Sequence, residues 1–183
     1  MGRRETSRGE AAGADQGRAD PRDRSRGQAL RLYLDTSALL KLYIDEEGAD
    51  LVRARRTEAD TVATSLITLV EARAALARRR HAGHSSPAQH KRSLGALTDD
   101  WDRYVRLEVS ESLVRRAADL AETHRLRGYD AIHLASALLL ADRLGGETAF
   151  GSWDDALDTA AAREGFLLLR ERRRRQASVL ARR

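Results

Sequence analysis

The segment Leu32–Tyr43, "LYLDTSALLKLY", runs from apolar residues through an aspartate and two hydroxyls into apolar residues at helical spacing. An apolar run of strand length that breaks at Asp35, followed by "TSALLKLY", predicts a buried strand feeding straight into a short helix. The carboxylate then stands at the corner between them. A tight turn accounts for one such residue. It does not account for acids at three further junctions of the same kind along the chain.

The pattern repeats outward from this corner. "ADLVRARRTEA" reads as a helix, "DTVATS" as a strand, and "LITLVEARAALARRR" as an amphipathic helix with arginines in its last turn, where cations suit the helix dipole. "HAGHSSP" is a loop, "AQHKRSLGALTDDW" a helix and "YVRLEVS" a strand. "ESLVRRAADLAETHRLR" and "YDAIHLASALLLADRLGG" are two helices divided at Gly128, the second apolar nearly all round and so expected to be buried. "ETAFGS" is a strand, "DDALDTAAAREG" a helix ending at glycine, and "FLLL" a last strand. Strands alternating with helices predict an α/β fold: a central, mostly parallel sheet with helices on both faces, a three-layer α/β/α sandwich. Ligands of such folds gather beyond the carboxyl ends of the strands, where the strand order reverses.

Composition fits one folded domain of about 100–200 residues with something left over from 183. Two prolines and 13 glycines argue against a low-complexity or many-turned all-β chain, and the absence of cysteine excludes disulfides and thiolate metal sites. Apolar residues make up 42% of the chain, yet "AIHLASALLLA" is far short of the roughly 20 residues a membrane span needs. The expectation is a soluble, cytoplasmic protein. The net charge of +5 divides unevenly: residues 1–30 carry 7 arginines and 5 acids, residues 170–183 carry 7 arginines and one acid, and residues 31–169 are mildly acidic. Residues 1–29 therefore read as a disordered extension, 30–170 as the folded domain, and 171–183, "ERRRRQASVLARR", as a basic tail able to raise affinity for a polyanion without selecting sequence.

Asp35 closes the first strand, Glu71 lies in the first turns of the helix after "DTVATS", Asp130 opens the buried helix, and Asp154 and Asp155 follow "ETAFGS". Singly, each is explained by helix structure: Asp35 as a cap, Glu71 completing a capping box with Thr68, Asp130 and Asp154 favouring helix dipoles. Together they are not. Carboxylates about 4 Å apart repel by roughly 4 kcal/mol per pair at an effective dielectric near 20. A hard divalent cation relieves that repulsion, and oxygen-only ligation suits Mg²⁺ or Mn²⁺. Such a site points to hydrolysis of phosphodiesters.

Four stretches, "YLDTSALLKLY", "TSLITLVEARAAL", "RGYDAIHLASAL" and "FGSWDDALDTAAAREGF", resemble in this order the four motifs of PIN-domain ribonucleases. Within that family the chain looks most like VapC-type toxins of toxin–antitoxin pairs. The resemblance implies an acidic site of Asp35, Glu71, Asp130 and Asp154 holding Mg²⁺ or Mn²⁺. It implies cleavage of RNA, inhibition by a small antitoxin protein, and assembly as a homodimer or a toxin–antitoxin hetero-oligomer. Asp35 and Asp130 are the expected direct or water-mediated ligands, with Glu71 and Asp154 completing the shell or orienting the attacking water.

Three features depart from the family's pattern. Thirty-four residues precede Asp35, where family members commonly have only a few. Ser152 stands where a threonine is usual, two before the fourth aspartate, and keeps the hydroxyl. In "WDD", Asp154 matches the spacing to Leu157, and Asp155 is the alternative. Thr36 and Ser37 could position a phosphate or the Asp35 carboxylate, but helix capping explains them at least as well and they stay outside the catalytic set; His133 is assigned to a hydrogen-bonded place in the core. His81, His84 and His90 match no compact zinc motif.

Two other functions were weighed. A phosphatase of the haloacid-dehalogenase type also ends its first strand in aspartate, but needs a second aspartate where Ser37 stands, and a lysine for which only Lys41 and Lys91 are available. A non-catalytic RNA- or antitoxin-binding module would have no need of all four acids.

Overall fold

The computed structural model describes residues 29–145 and 147–170. The expectations for residues 1–28 and for the basic tail at 171–183 lie outside the described residues. The elements run β1 (Arg31–Leu34), α1 (Thr36–Leu40), α2 (Ala49–Glu58), β2 (Thr61–Ser65), α3 (Ile67–His81), α4 (Pro87–Trp101), β3 (Val105–Leu107), α5 (Glu111–His124), α6 (Gly128–Leu144), β4 (Thr148–Gly151), α7 (Asp155–Arg163) and β5 (Leu167–Leu168). All strand pairs are parallel, in the order β3-β2-β1-β4-β5. The first strand is therefore central, and the order reverses between β1 and β4.

Alternation along β1 divides the core in two. Leu32 and Leu34 point to the side covered by α1 to α4, where they pack with Leu39, Val52, Leu76 and Leu97. Tyr33 points to the other side and packs with Leu134, Phe150 and Leu157 from α6, β4 and α7. The Tyr33 and Phe150 rings stack with centroids 5.5 Å apart. Burial on both faces explains why the strands read as apolar runs.

Local chemistry sets most boundaries. Ser86 and Gln89 form a capping box at the start of α4, with Pro87 at its first position. Ser110 caps α5, so the strand expected over "YVRLEVS" shortens to Val105–Leu107. The break between α5 and α6 is not at Gly128. Arg125 takes the left-handed conformation (φ 56°), its N–H and that of Leu126 reach the Ala121 carbonyl, and Gly128 is already the first residue of α6. As expected, α6 is buried over most of its length, from Ala131 to Leu140.

Gly151 closes β4 against the partner strand. A Cβ there would lie 2.8 Å from Leu34 Cδ2 and 3.2 Å from Leu169 Cδ2, both fully enclosed. Gly151→Ala is expected to destabilise the fold by about 1–3 kcal/mol through overpacking, measured as a lower urea midpoint with an unchanged m-value; an unaltered midpoint would show that β1 and β4 are not in such close contact.

Candidate active site

The reversal point between β1 and β4 is where the acids meet. Asp35 follows directly on β1, its N–H donating to the Gly151 carbonyl across the sheet at 3.0 Å. Its side chain caps α1: Oδ1 accepts from the Ala38 N–H at 2.7 Å. The Ser37 hydroxyl donates to both carboxylate oxygens (2.8 and 2.9 Å), and the Ser152 hydroxyl donates to Oδ2 at 2.9 Å. Those two hydroxyls also accept backbone N–H groups, Ser37 from Trp153 and Ser152 from Asp154. The segment after β4 is thus fastened to the corner after β1 through one carboxylate. Asp35 is 5% exposed, and burial pushes its carboxyl above the ordinary value although His133 and four hydrogen bonds pull the other way.

Glu71 reaches the same corner from α3. The Thr64 hydroxyl donates to the Leu34 carbonyl at 2.7 Å and pairs with the Thr68 hydroxyl at 2.7 Å, which ties the start of α3 to the end of β1. Thr68 is therefore occupied, the cap residue Leu66 offers no side chain, and the capping box expected for Glu71 does not form. Instead Glu71 Oε2 accepts from the Thr36 hydroxyl and, at 2.9 Å, from His133 Nε2. An ionised carboxylate can only accept, so the proton sits on Nε2. His133 Nδ1 meets the Tyr33 hydroxyl at 3.0 Å, completing a buried line from the core to Glu71. Burial works to raise Glu71, but the bonds from His133 and Thr36 and the charges of His133 and Arg127 outweigh it and hold the carboxyl below its usual value.

The remaining two acids are joined by one side chain. Arg127, at the cap position of α6, donates from Nε to Asp130 Oδ2 at 2.7 Å and from Nη2 to Asp154 Oδ2 at 2.9 Å. Asp154 caps α7 with its other oxygen, which accepts from the Ala156 and Leu157 N–H groups at 2.9 and 3.0 Å. Asp35 and Asp154 thus each cap a helix and also line one cavity.

All four acids line one cavity of about 360 Å³, together with Thr36, Ser37, Arg78, Arg127, His133 and Trp153. Asp155 is turned away. It pairs with Arg170 at 2.6 Å beside a larger cavity of about 650 Å³ on α7, lined by Asp158 as well, and neither Glu71 nor Asp130 reaches that space. Trp153 forms part of the acid cavity's wall. The Lys41 ammonium lies 4.4 Å from its ring centroid, and Gly48, at φ 86°, lies so close that a Cβ would collide with the indole.

The chain matches the family model of the PIN domain over residues 32–162. It belongs to the PIN-domain family. Its relatives include "Ribonuclease VapC45" of Mycobacterium tuberculosis, 34% identical over 141 residues, which cover 73% of this chain and 91% of that protein. "Ribonuclease VapC47" of the same species is 31% identical over 140 residues, covering 74% and 93%. Among solved structures, PAE2754 from Pyrobaculum aerophilum has the same fold, with a TM-score of 0.54 at 23% identity, over 82% of this chain and 91% of that one. The α/β/α sandwich expected from the strand–helix alternation is the PIN fold. Among the described residues no helix is long and apolar enough to cross a membrane.

From the sequence, helix capping explained Thr36 and Ser37 at least as well as a role in positioning the Asp35 carboxylate. In the PIN fold seen here Asp35 caps α1 itself, which frees Thr36 to hold Glu71 and Ser37 to hold Asp35. Arg127 was missed altogether. Its signal was a cation three residues before Asp130, the spacing that lets two helical side chains meet.

Asp35 and Glu71 should bias stability with pH in opposite senses. A carboxyl raised in the fold contributes fully below its unfolded value, near 3.8, and loses that contribution as pH rises through the folded value; a lowered one contributes fully above 4.5 and loses it as pH falls. In chelator, Asp35→Asn should therefore remove the decline that follows rising pH, while Glu71→Gln should blunt the loss on the acid side. Urea unfolding from pH 3 to 8 measures both, and parallel curves for the two variants would contradict it.

Proposed function

We propose that this PIN-domain chain is an endoribonuclease of the VapC kind, hydrolysing RNA phosphodiester bonds as the toxin of a toxin–antitoxin pair in the cytoplasm. The observation that carries this reading is the meeting of Asp35, Glu71, Asp130 and Asp154 on one cavity at the reversal point of the sheet. The likeness to ribonucleases of the VapC group supports the reaction class.

The donor set suits Mg²⁺ or Mn²⁺. Four carboxylates face one space and no thiolate is available, and two of them already share a cation, the Arg127 guanidinium. Among the described residues no three acidic or histidine side chains are arranged as ligands of one ion as they stand; Asp130 and Asp154 would have to exchange Arg127 for it. Asp35, Glu71, Asp130 and Asp154 would then hold the ion, which supplies a hydroxide-forming centre and neutralises charge developing on the phosphate.

The chain's own residues prepare the rest. Ser37 and Ser152 fix both oxygens of Asp35, and His133 with Thr36 fixes Glu71, so two acids are oriented before any ligand arrives. Arg78, exposed on the cavity wall and without an ion pair among the described residues, is placed to meet a backbone phosphate. The antitoxin would be a small protein that covers and inhibits this cavity, and the chain would assemble as a homodimer or as a hetero-oligomer with that partner.

Incubation of structured RNA with Mn²⁺ should give discrete internal cuts, abolished by excess chelator and by Asp35→Asn. Cutting that persists in either case refutes the metal-nuclease reading, and tight RNA binding without cutting would make the chain a binding module. Ser152→Ala should lower metal affinity about 10–100-fold, as loss of a ligand-orienting bond does, and Ser152→Thr should restore it.

A further inference from the structure

We propose that Arg127 is a built-in, displaceable counter-ion: it occupies the cation's place between Asp130 and Asp154 while the cavity is empty of metal, and a divalent ion binds by expelling it. This rests on the metal-nuclease reading above and adds the regulation of that same site.

The cavity has two unlike halves. Asp35 and Glu71 are held by close-fitting donors: the half-buried hydroxyls of Ser37 and Thr36, the buried Ser152 hydroxyl and Ala38 amide, and His133, whose side chain is 3% exposed. These contacts leave the carboxylates in place whatever else enters. Asp130 lies in the first turn of α6 and Asp154 caps α7, and among the described residues the side chain that joins them is Arg127, 76% exposed. Exposed ion pairs are readily exchanged, because water solvates the freed guanidinium almost as well as the carboxylates did. Both bonds also end on Oδ2 atoms, while Asp154 Oδ1 stays with the α7 amides, so the arginine can leave without unfastening the helix.

Displacement predicts that removing Arg127 tightens metal binding, the opposite of what loss of a supporting residue does. Isothermal titration of Mn²⁺ into the full-length protein, without RNA, compares wild type with Arg127→Gln, Arg127→Lys and Arg78→Gln. Arg78 lines the same cavity but pairs with no acid among the described residues, so Arg78→Gln reports the effect of charge alone. Arg127→Gln is expected to lower the Mn²⁺ Kd about tenfold relative to wild type and clearly more than Arg78→Gln does. Arg127→Lys, which keeps the charge but not the two-pronged grip, should fall between wild type and Arg127→Gln, and keeps the test open should the glutamine variant not fold. An unchanged or weaker affinity in the Arg127 variants, or an equal gain in Arg78→Gln, overturns the proposal while leaving the metal reading intact. Mn²⁺ binding by none of the four proteins overturns both.

Discussion

The carboxylate of Asp35 is the fastening on which the rest depends. It sits at the end of the central strand, caps the helix that follows, and accepts hydroxyls from both sides of the point where the sheet reverses. Because Ser37 and Ser152 in turn accept amides of Trp153 and Asp154, the backbone after β4 is positioned by a charge at the end of β1. Burying a carboxylate this deeply is costly. The cost is met locally by four hydrogen bonds, and burial still wins, since the carboxyl remains raised. A site that stores an unfavourable charge in this way is suited to a cationic ligand.

How four acids share one cavity follows from the same accounting of charge. Glu71 is stabilised by His133, which is itself steadied by Tyr33, a hydroxyl whose own ionisation burial has pushed far out of reach. Asp130 and Asp154 are stabilised by Arg127. One pair therefore relies on buried and half-buried groups packed into the fold, the other on a solvent-exposed side chain. That asymmetry places the adjustable part of the site at the lip formed by the starts of α6 and α7, and the fixed part at the sheet.

Much of this was legible along the chain. The strand–helix alternation gave the layer order, and the corner at Asp35 was readable because acids recur at three further strand and helix junctions along the chain. Asp154 was favoured over Asp155 from its spacing to Leu157, and the two side chains do point to different cavities. What was misread was hydrogen bonding that sequence spacing leaves ambiguous. Thr68 and Glu71 have the separation of a capping box, yet Thr68 is claimed by Thr64 from the neighbouring strand. Gly128 looked like a helix break because glycine usually supplies the left-handed turn, and Arg125 supplies it instead.

By itself the sequence determined what short-range physics controls: which runs are strands or helices, which faces are apolar, and which residue types stand at the strand ends. Only the tertiary structure decided that residues 35, 71, 130 and 154 share one space, that two of them are bridged by Arg127, and that His133 turns toward Glu71. The reason is the range of the interactions. Periodicity and capping are settled within a few residues, whereas the four acids stand 24 to 119 residues apart and His133 stands 62 from Glu71, and they meet only once a parallel sheet has brought the carboxyl ends of β1 and β4 side by side.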